Sequence, residues 1–309
     1  MNHVRARAMN CDVDLFDCGR AAEDRLARCE SWLHAFEARF SRFLSASEVT
    51  RLNLAAGDWT PASPMLFDLL RLSLELARRS DGLFDPTVLR SLEGAGYDQS
   101  FDDLRTNRRT QPVAPGSSAW RSVDLDPTGP CVRLPAEVGI DFGGIGKGWA
   151  VDRLARYLQR DCLINAGGDL YAAGAPDDHD SWLVGIQNPF EPSQDIMTLA
   201  VNDRGVATSS VLYRRWIHDG QAAHHLIDPR TQASARSNAV QVTAVAACAT
   251  LAEHHAKVAL LQGVSVGLDY LESESNVEGV LVAKTGDVLA TSGVAGLKAG
   301  SVPSLVAAV

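Results

Sequence analysis

Short apolar stretches follow one another through the second half of this chain with only turn residues between them, and this limits its topology more than any other feature. Cys162-Leu-Ile-Asn-Ala166 is parted from Leu170-Tyr-Ala-Ala-Gly174 by Gly-Gly-Asp alone. Glu278-Gly-Val-Leu-Val-Ala-Lys284 is parted from Val288-Leu-Ala-Thr-Ser292 by Thr-Gly-Asp. Connections this short join antiparallel neighbours. Residues 120–134 carry a further hairpin, with VDLD and CVRL around PTGP. Strands are also expected over 182–188, 197–201, 205–209 and 241–247. Because strands outnumber helices and often succeed one another directly, the pattern is α+β rather than a regular βαβ alternation.

Helices are fewer. Ala22, Leu26, Cys29, Leu33, Phe36 and Phe40 recur at spacings of three and four, which predicts a helix over 20–43. Residues 64–79 open with Pro64, tolerated at a helix start because its missing N–H had no intrahelical partner. A strand is expected at Val138-Gly-Ile-Asp-Phe142, then a glycine-rich turn, then a helix over 149–160. A last helix is expected over 249–263, ending at Gly263. The polar stretch 107–119, with two prolines and a glycine, predicts a surface loop and the place for a lobe boundary within one 309-residue domain. Both halves show a helix followed by several strands, so two related lobes of mixed or antiparallel sheet with packed helices are expected.

With 46% hydrophobic and 22% charged residues the chain reads as globular, and its net charge of −9 disfavours nucleic acid and anionic membranes as general partners. Its six cysteines are scattered and form no CxxC pair, which points to free thiols in a reducing compartment. The N-terminus carries arginines without an apolar run, and no stretch reaches the roughly 18 apolar residues of a membrane helix. A cytoplasmic location is the expectation.

Four constellations could carry chemistry. Asp141-Phe-Gly-Gly-Ile-Gly-Lys-Gly-Trp-Ala-Val-Asp152 places four glycines around Lys147 where a strand is expected to turn into a helix. Backbone N–H groups can approach an anion closely there, and a helix start favours negative charge. The spacing is neither a Walker A loop nor GxGxxG, and a tight packing corner is the alternative. Asn165-Ala-Gly-Gly-Asp169 follows one helix and one strand later, which would bring both loops to one sheet edge. Ala223-His-His-Leu-Ile-Asp-Pro-Arg-Thr231 puts two histidines near a carboxylate and Arg230; a histidine titrating near neutrality suits proton transfer or contact with phosphoryl charge. Ala252-Glu-His-His-Ala-Lys257 sets Glu253 and Lys257 four residues apart on one helix face, where an exposed ion pair is the alternative.

In this order the stretches resemble the FAD:protein FMN transferases, the ApbE family. Phe40-Ser-Arg-Phe43 through Ser47-Glu48 and Leu52-Asn53 resembles that family's early helix exit. Asp81-Gly-Leu-Phe-Asp-Pro-Thr-Val88 resembles its G-x-F-D-P-T-V segment, and Asp141 to Asp152 its D-L-G-G-I-A-K-G-Y-A-V-D signature. Asn165 to Asp169 is similar to N-x-G-G-D, and Ala207-Thr-Ser209 to the start of A-T-S-G. His225-Leu-Ile-Asp-Pro-Arg-Thr231 is similar to H-I-I-D-P-x-T-G, and Val242-Thr243 to a V-T-V strand before the last helix.

The resemblance implies an ApbE-like α+β fold and a phosphoryl transfer. A threonine or serine hydroxyl of a target protein attacks the flavin-side phosphorus of FAD, AMP leaves, and FMN remains on the target. Position by position it implies His225, Asp228 and Lys147 as catalytic residues. For the flavin nucleotide it implies Phe43 near the isoalloxazine, together with Glu48, Asp85, Asp141, Gly143, Gly144, Lys147, Asp152, Gly167, Gly168, Asp169, Thr208, Ser209 and His225. It also implies Mg²⁺ on the carbonyl of Gly146, with Glu253 and Lys257 at the remaining ligand positions, where the family carries aspartate and threonine. Glutamate can still reach a hard cation, but a protonated lysine has no lone pair to give. Ser210 and Gln232 stand where the family has glycines; if those glycines hold positive φ, the turns here must differ. Three readings follow: an active transferase, a flavin-binding protein that has lost transfer, and an FAD pyrophosphatase giving FMN and AMP.

Overall fold

The computed structural model describes residues 1–104, 118–177, 179–299 and the backbone of 306–308. Seven α-helices occur among them: α1 (Ala22–Phe40), α2 (Glu48–Leu54), α3 (Pro64–Arg79), α4 (Leu89–Gly94), α5 (Gly146–Leu158), α6 (Ala249–Gln262) and α7 (Val264–Ser273). None is long and apolar enough to cross a membrane. The chain forms two compact units. The first comprises 1–34, 145–210 and 237–309, the second 35–144 and 211–236. All but the last two residues of 107–119 lie outside the described residues.

The first unit is built on an eight-stranded sheet whose strands lie side by side in chain order: Asn2–Ala8, Cys11–Asp17, Cys162–Ala166, Asp169–Ala173, Arg204–Ser210, Ala239–Ala246, Glu278–Ala283 and Val288–Ala290. Every neighbouring pair is antiparallel. The hairpin at Asn165-Ala-Gly-Gly-Asp169 turns through Gly167 (φ 59°) and Gly168 (φ 98°), a two-residue connection open to glycine in both places. A smaller sheet joins Trp182–Gln187 to Asp195–Val201 and, in parallel, to Val306–Ala308. Its inward residues Trp182, Val184, Ile186, Leu199 and Val201 pack with Leu163, Leu170, Val206 and Val245 of the large sheet into one core. α6 covers the sheet. Its first turn lies over Gly205, where a Cβ would come within 2.2 Å of the Ala249 nitrogen, and its end returns to Asn238, whose Oδ1 accepts from Val264 N at 2.9 Å. The helix therefore runs back along the strand Ala239–Ala246.

The second unit holds α2, α3, α4 and the C-terminal part of α1, with a three-stranded sheet (Thr60–Pro61, Cys131–Arg133, Asp124–Asp126) and two short hairpins. Leu92, Tyr97, Trp216, Ala223 and Ile227 form a core, with Phe43 half-buried against it.

The helix over 64–79 and the strand over 162–166 fall where the sequence puts them. The strand expected at 138–142 does not form. Only an isolated bridge links Gly139 to Val88, because the side chain of Asn53 takes the place of a neighbouring strand: its Oδ1 accepts from Ile140 N at 2.7 Å and its Nδ2 donates to Ile140 O at 2.9 Å. The hairpin Asn2–Ala8/Cys11–Asp17, α7 and the hairpin Arg215–His218/Gln221–His224 were not expected.

Candidate functional site

The glycine-rich stretch is the point where the chain passes from the second unit to the first, between Gly144 and Ile145. α5 begins within it, at Gly146, so the glycines after Ile145 are helical rather than loop. Ile145 gives this helix no side-chain cap. The cap comes from α6: Glu253 Oε2 accepts from Gly148 N at 3.0 Å. The relationship is reciprocal, since Cys248 gives α6 no side-chain cap either. Asp152, two turns into α5, accepts from Ala249 N (2.8 Å), Thr250 N (3.0 Å) and Thr250 Oγ1. Each helix thus supplies the carboxyl group that satisfies the other's first amides. Gly148 makes the approach possible, because a Cβ there would stand 2.8 Å from the carbonyl oxygen of Ala249. Of the two readings of these glycines, the packing corner holds at Gly148.

Lys147 and Asp169 bring the two glycine motifs together: the Lys147 ammonium is hydrogen-bonded to Asp169 Oδ2, with Asp169 fully buried and Lys147 mostly so. Asn165 Oδ1 accepts from Gly168 N at 2.9 Å and fixes the turn. The ladder between Arg204–Ser210 and Asp169–Ala173 ends at Val206–Leu170. Thr208 and Ser209 therefore continue past it, at the same end of the sheet as the Gly167-Gly168 turn. Thr208 Oγ1 lies 2.7 Å from Thr243 Oγ1 on the next strand. Burial, and then the negative charge of Asp169, push the Glu253 carboxyl up to about 8, while Lys147 and Lys257 oppose the rise. Burial likewise raises Asp152, against the donors of α6.

In the second unit the expected residues have their own local partners. Arg42 lies 2.8 Å from Asp141 and over the rings of Phe43 (4.2 Å) and Tyr97 (4.8 Å). Asp141 Oδ1 also accepts from Gly143 N at 2.8 Å. Glu48 holds the N and Oγ of Ser63, the cap of α3. Asp85 holds the N and Oγ1 of Thr87. His224 Nε2 is 3.0 Å from Ala235 O, and its Nδ1 accepts from Leu226 N at 3.3 Å. With a carbonyl beside one nitrogen and an amide beside the other, the tautomer that fits carries its proton on Nε2. His225, its half-buried neighbour, makes neither of these contacts. Asp228 pairs with Arg230 through Nε (2.9 Å) and Nη2 (2.8 Å). Burial works against the carboxylate, but these bonds hold Asp228 below its ordinary value.

Gln232 keeps a left-handed backbone (φ 57°) without being glycine. Its Nε2 donates to Pro229 O at 2.6 Å and its Oε1 accepts from Ser91 Oγ, so side-chain bonds offset the cost. Ser210 is an ordinary strand residue opposite Gln241. Sequence reasoning missed Arg42, Tyr97, Thr243 and Thr250. Arg42 and Thr243 were within reach, lying inside Phe40-Ser-Arg-Phe43 and Val242-Thr243; Tyr97 and Thr250 carry no local signal.

The family model described as the ApbE family matches residues 8–281. The chain belongs to the ApbE family. The FAD:protein FMN transferase of Salmonella typhimurium is 27% identical over 249 residues, covering 77% of this chain and 70% of that one. The ApbE protein of Thermotoga maritima shares the fold with a TM-score of 0.87 at 23% identity, over 97% of this chain and 99% of that one. The apo flavinyl transferase ApbE of Pseudomonas stutzeri follows at 0.81 and 22%, over 97% and 98%.

The Mg²⁺ that the family resemblance implies does not fit the donors present. Glu253 Oε2 is committed to Gly148 N–H, and Asp169 Oδ2 to Lys147. Lys257 offers no lone pair, and its charge acts on Glu253. Two unit charges about 4 Å apart repel by about 4 kcal/mol at an effective dielectric near 20, and a divalent ion doubles this.

Proposed function

We propose that this chain is an FAD:protein FMN transferase, with a threonine or serine of a second protein as acceptor. The observation that carries the reading is the Lys147–Asp169 contact. It sets a lysine, the start of α5 and the Gly167-Gly168 turn at one end of the sheet, a corner with the donors a pyrophosphate needs. In the reaction the acceptor oxygen bonds to the flavin-side phosphorus, the anhydride bond to the AMP phosphate breaks, and the hydroxyl proton is released. Such a transfer depends on positioning and charge neutralisation more than on covalent help. Lys147 neutralises phosphate charge, and Thr208 and Ser209 offer hydroxyl donors beside it. His225, Asp228 and Phe43 enter from the family motifs, with His225 as the proton acceptor or phosphate partner and Phe43 as the ring contact. Asp152, Glu48 and Asp85, which the family motifs also bring in, hold local structural bonds as well.

The test is mass spectrometry of a purified acceptor domain after incubation with the chain and FAD. A mass gain equal to FMN less one water, with AMP released, is expected. Free FMN and AMP without a mass gain would make the chain an FAD pyrophosphatase. Saturable FAD binding with neither product would make it a flavin-binding protein without transfer.

A further inference from the structure

We propose that Lys257 supplies internally the positive charge that a divalent cation would bring, so that this chain binds FAD equally well without metal. The inference rests on the reading of the chain as an FAD-binding transferase and concerns only how the phosphate charge is met.

The placement of Lys257 follows from the path of α6. The helix starts over Gly205 and ends beside Asn238, so it travels the length of Ala239–Ala246 in the reverse direction. Lys257 lies eight residues into it, about 12 Å along the axis at about 1.5 Å per residue. Strand residues advance about 3.4 Å each. Lys257 therefore stands level with Thr243 and Val242, the partners of Thr208 and Ser209. That is the end of the sheet to which the Gly167-Gly168 turn and Lys147 also belong. Lys257 shares its helix face with Glu253, and Glu253 reaches the start of α5 through Gly148 N. The half-buried Lys257 is thus carried to the same corner as the Lys147–Asp169 contact.

The acidic groups of that corner are already engaged. Glu253 caps α5 and Asp169 holds Lys147. What weighs most against a metal there is Lys257, which stands where the family has a ligand, offers no lone pair and repels a cation. An ammonium carried on α6 meets phosphate oxygens directly and disturbs neither of those bonds.

The experiment is titration of the full chain with FAD, by calorimetry and flavin fluorescence, once in EDTA and once in excess Mg²⁺. Wild type, Lys257→Arg, Lys257→Met and the pair Glu253→Asp with Lys257→Thr are compared, each checked for folding by thermal melting. For wild type and Lys257→Arg, dissociation constants in EDTA and Mg²⁺ should agree within about threefold. Lys257→Met should weaken binding in EDTA by about tenfold or more, the scale of one lost charged contact. The paired variant should recover affinity on adding Mg²⁺. Wild-type binding that tightens tenfold or more with Mg²⁺ overturns the inference and leaves the transferase reading intact. Unchanged affinity in a folded Lys257→Met also overturns it. Calorimetry of wild type with Mg²⁺ alone needs no variant to fold: no saturable heat is expected, and a stoichiometric site overturns the inference. Absence of FAD binding under both conditions overturns the reading beneath it.

Discussion

Glu253 Oε2 lies 3.0 Å from the amide nitrogen of Gly148, a helix cap delivered across 105 residues of sequence. Together with the bonds from Asp152 to the start of α6, it makes the two helices each other's N-terminal caps. The corner that carries Lys147 is held in place by this exchange.

Gly148→Ala should lower stability by about 1–3 kcal/mol, as overpacking does in a close-packed interior. The added methyl meets the Ala249 carbonyl at 2.8 Å, and that atom belongs to backbone rather than to a flexible side chain. Urea unfolding followed by circular dichroism measures the shift. A midpoint unchanged from wild type would show that α5 and α6 separate at no cost.

Asp152→Ala should cost about 1–2 kcal/mol, the range of a lost N-terminal cap. It should also speed hydrogen exchange at Ala249 and Thr250, whose amides it holds, more than at the middle of α6. Uniform acceleration along the helix would contradict the capping role.

Glu253→Gln separates the cap from the charge. Glutamine keeps an acceptor for Gly148 N–H but cannot ionise. The native carboxyl is raised to about 8, so the folded state binds its proton more tightly than the unfolded chain does. Stability from this group is present below the ordinary glutamate value and falls as pH rises from there through about 8. The variant should therefore gain melting temperature relative to wild type at pH 9 and lose that gain at pH 5. An equal difference at both values would refute the assignment.

Asp228 has the opposite sign. Arg230 holds its carboxylate below the ordinary aspartate value, so the stability it contributes is present above that value and lost as pH falls through the lowered one. Arg230→Met should leave the melting temperature lower at pH 7 and nearly equal to wild type near pH 2.

His225→Ala should reduce FMN transfer by about a hundredfold or more, the scale of a lost proton-transfer group. His224→Ala should mainly lower the melting temperature, because its ring is bonded on both sides to backbone. Steady-state rates and melts on both variants decide; equal losses of rate would remove the distinction.

The sequence disclosed those parts of the fold whose causes are local. Cys162–Ala166 and Pro64–Arg79 announce themselves by apolar runs and a proline at a helix start. The start of α5 was misplaced because glycines read as loop, while the cap that makes them helical lies in another helix. Residues 138–142 look like a strand and are not one, since the partner that meets Ile140 is the amide of Asn53. The hairpin Asn2–Ala8/Cys11–Asp17 was overlooked although Val4, Ala6 and Ala8 alternate with Arg5 and Arg7 in period two. In the candidate site, the motif order pointed to Lys147 and Asp169, and the structure joins them. The occupations of Asp152 and Glu253 were hidden, because both depend on contacts made only after α5 and α6 pack.

The order of strands in the large sheet has a consequence for how the molecule is made. Leu15 pairs with Ile164, yet residues 35–144, the longer stretch of the second unit, come between them in the chain. During synthesis the first hairpin emerges long before the strand it needs, and its open edge must wait for that strand. Closing so long an intervening segment is entropically slow rather than forbidden. Neither unit can be excised as one continuous fragment, so truncation mapping would return broken pieces where point substitution returns information.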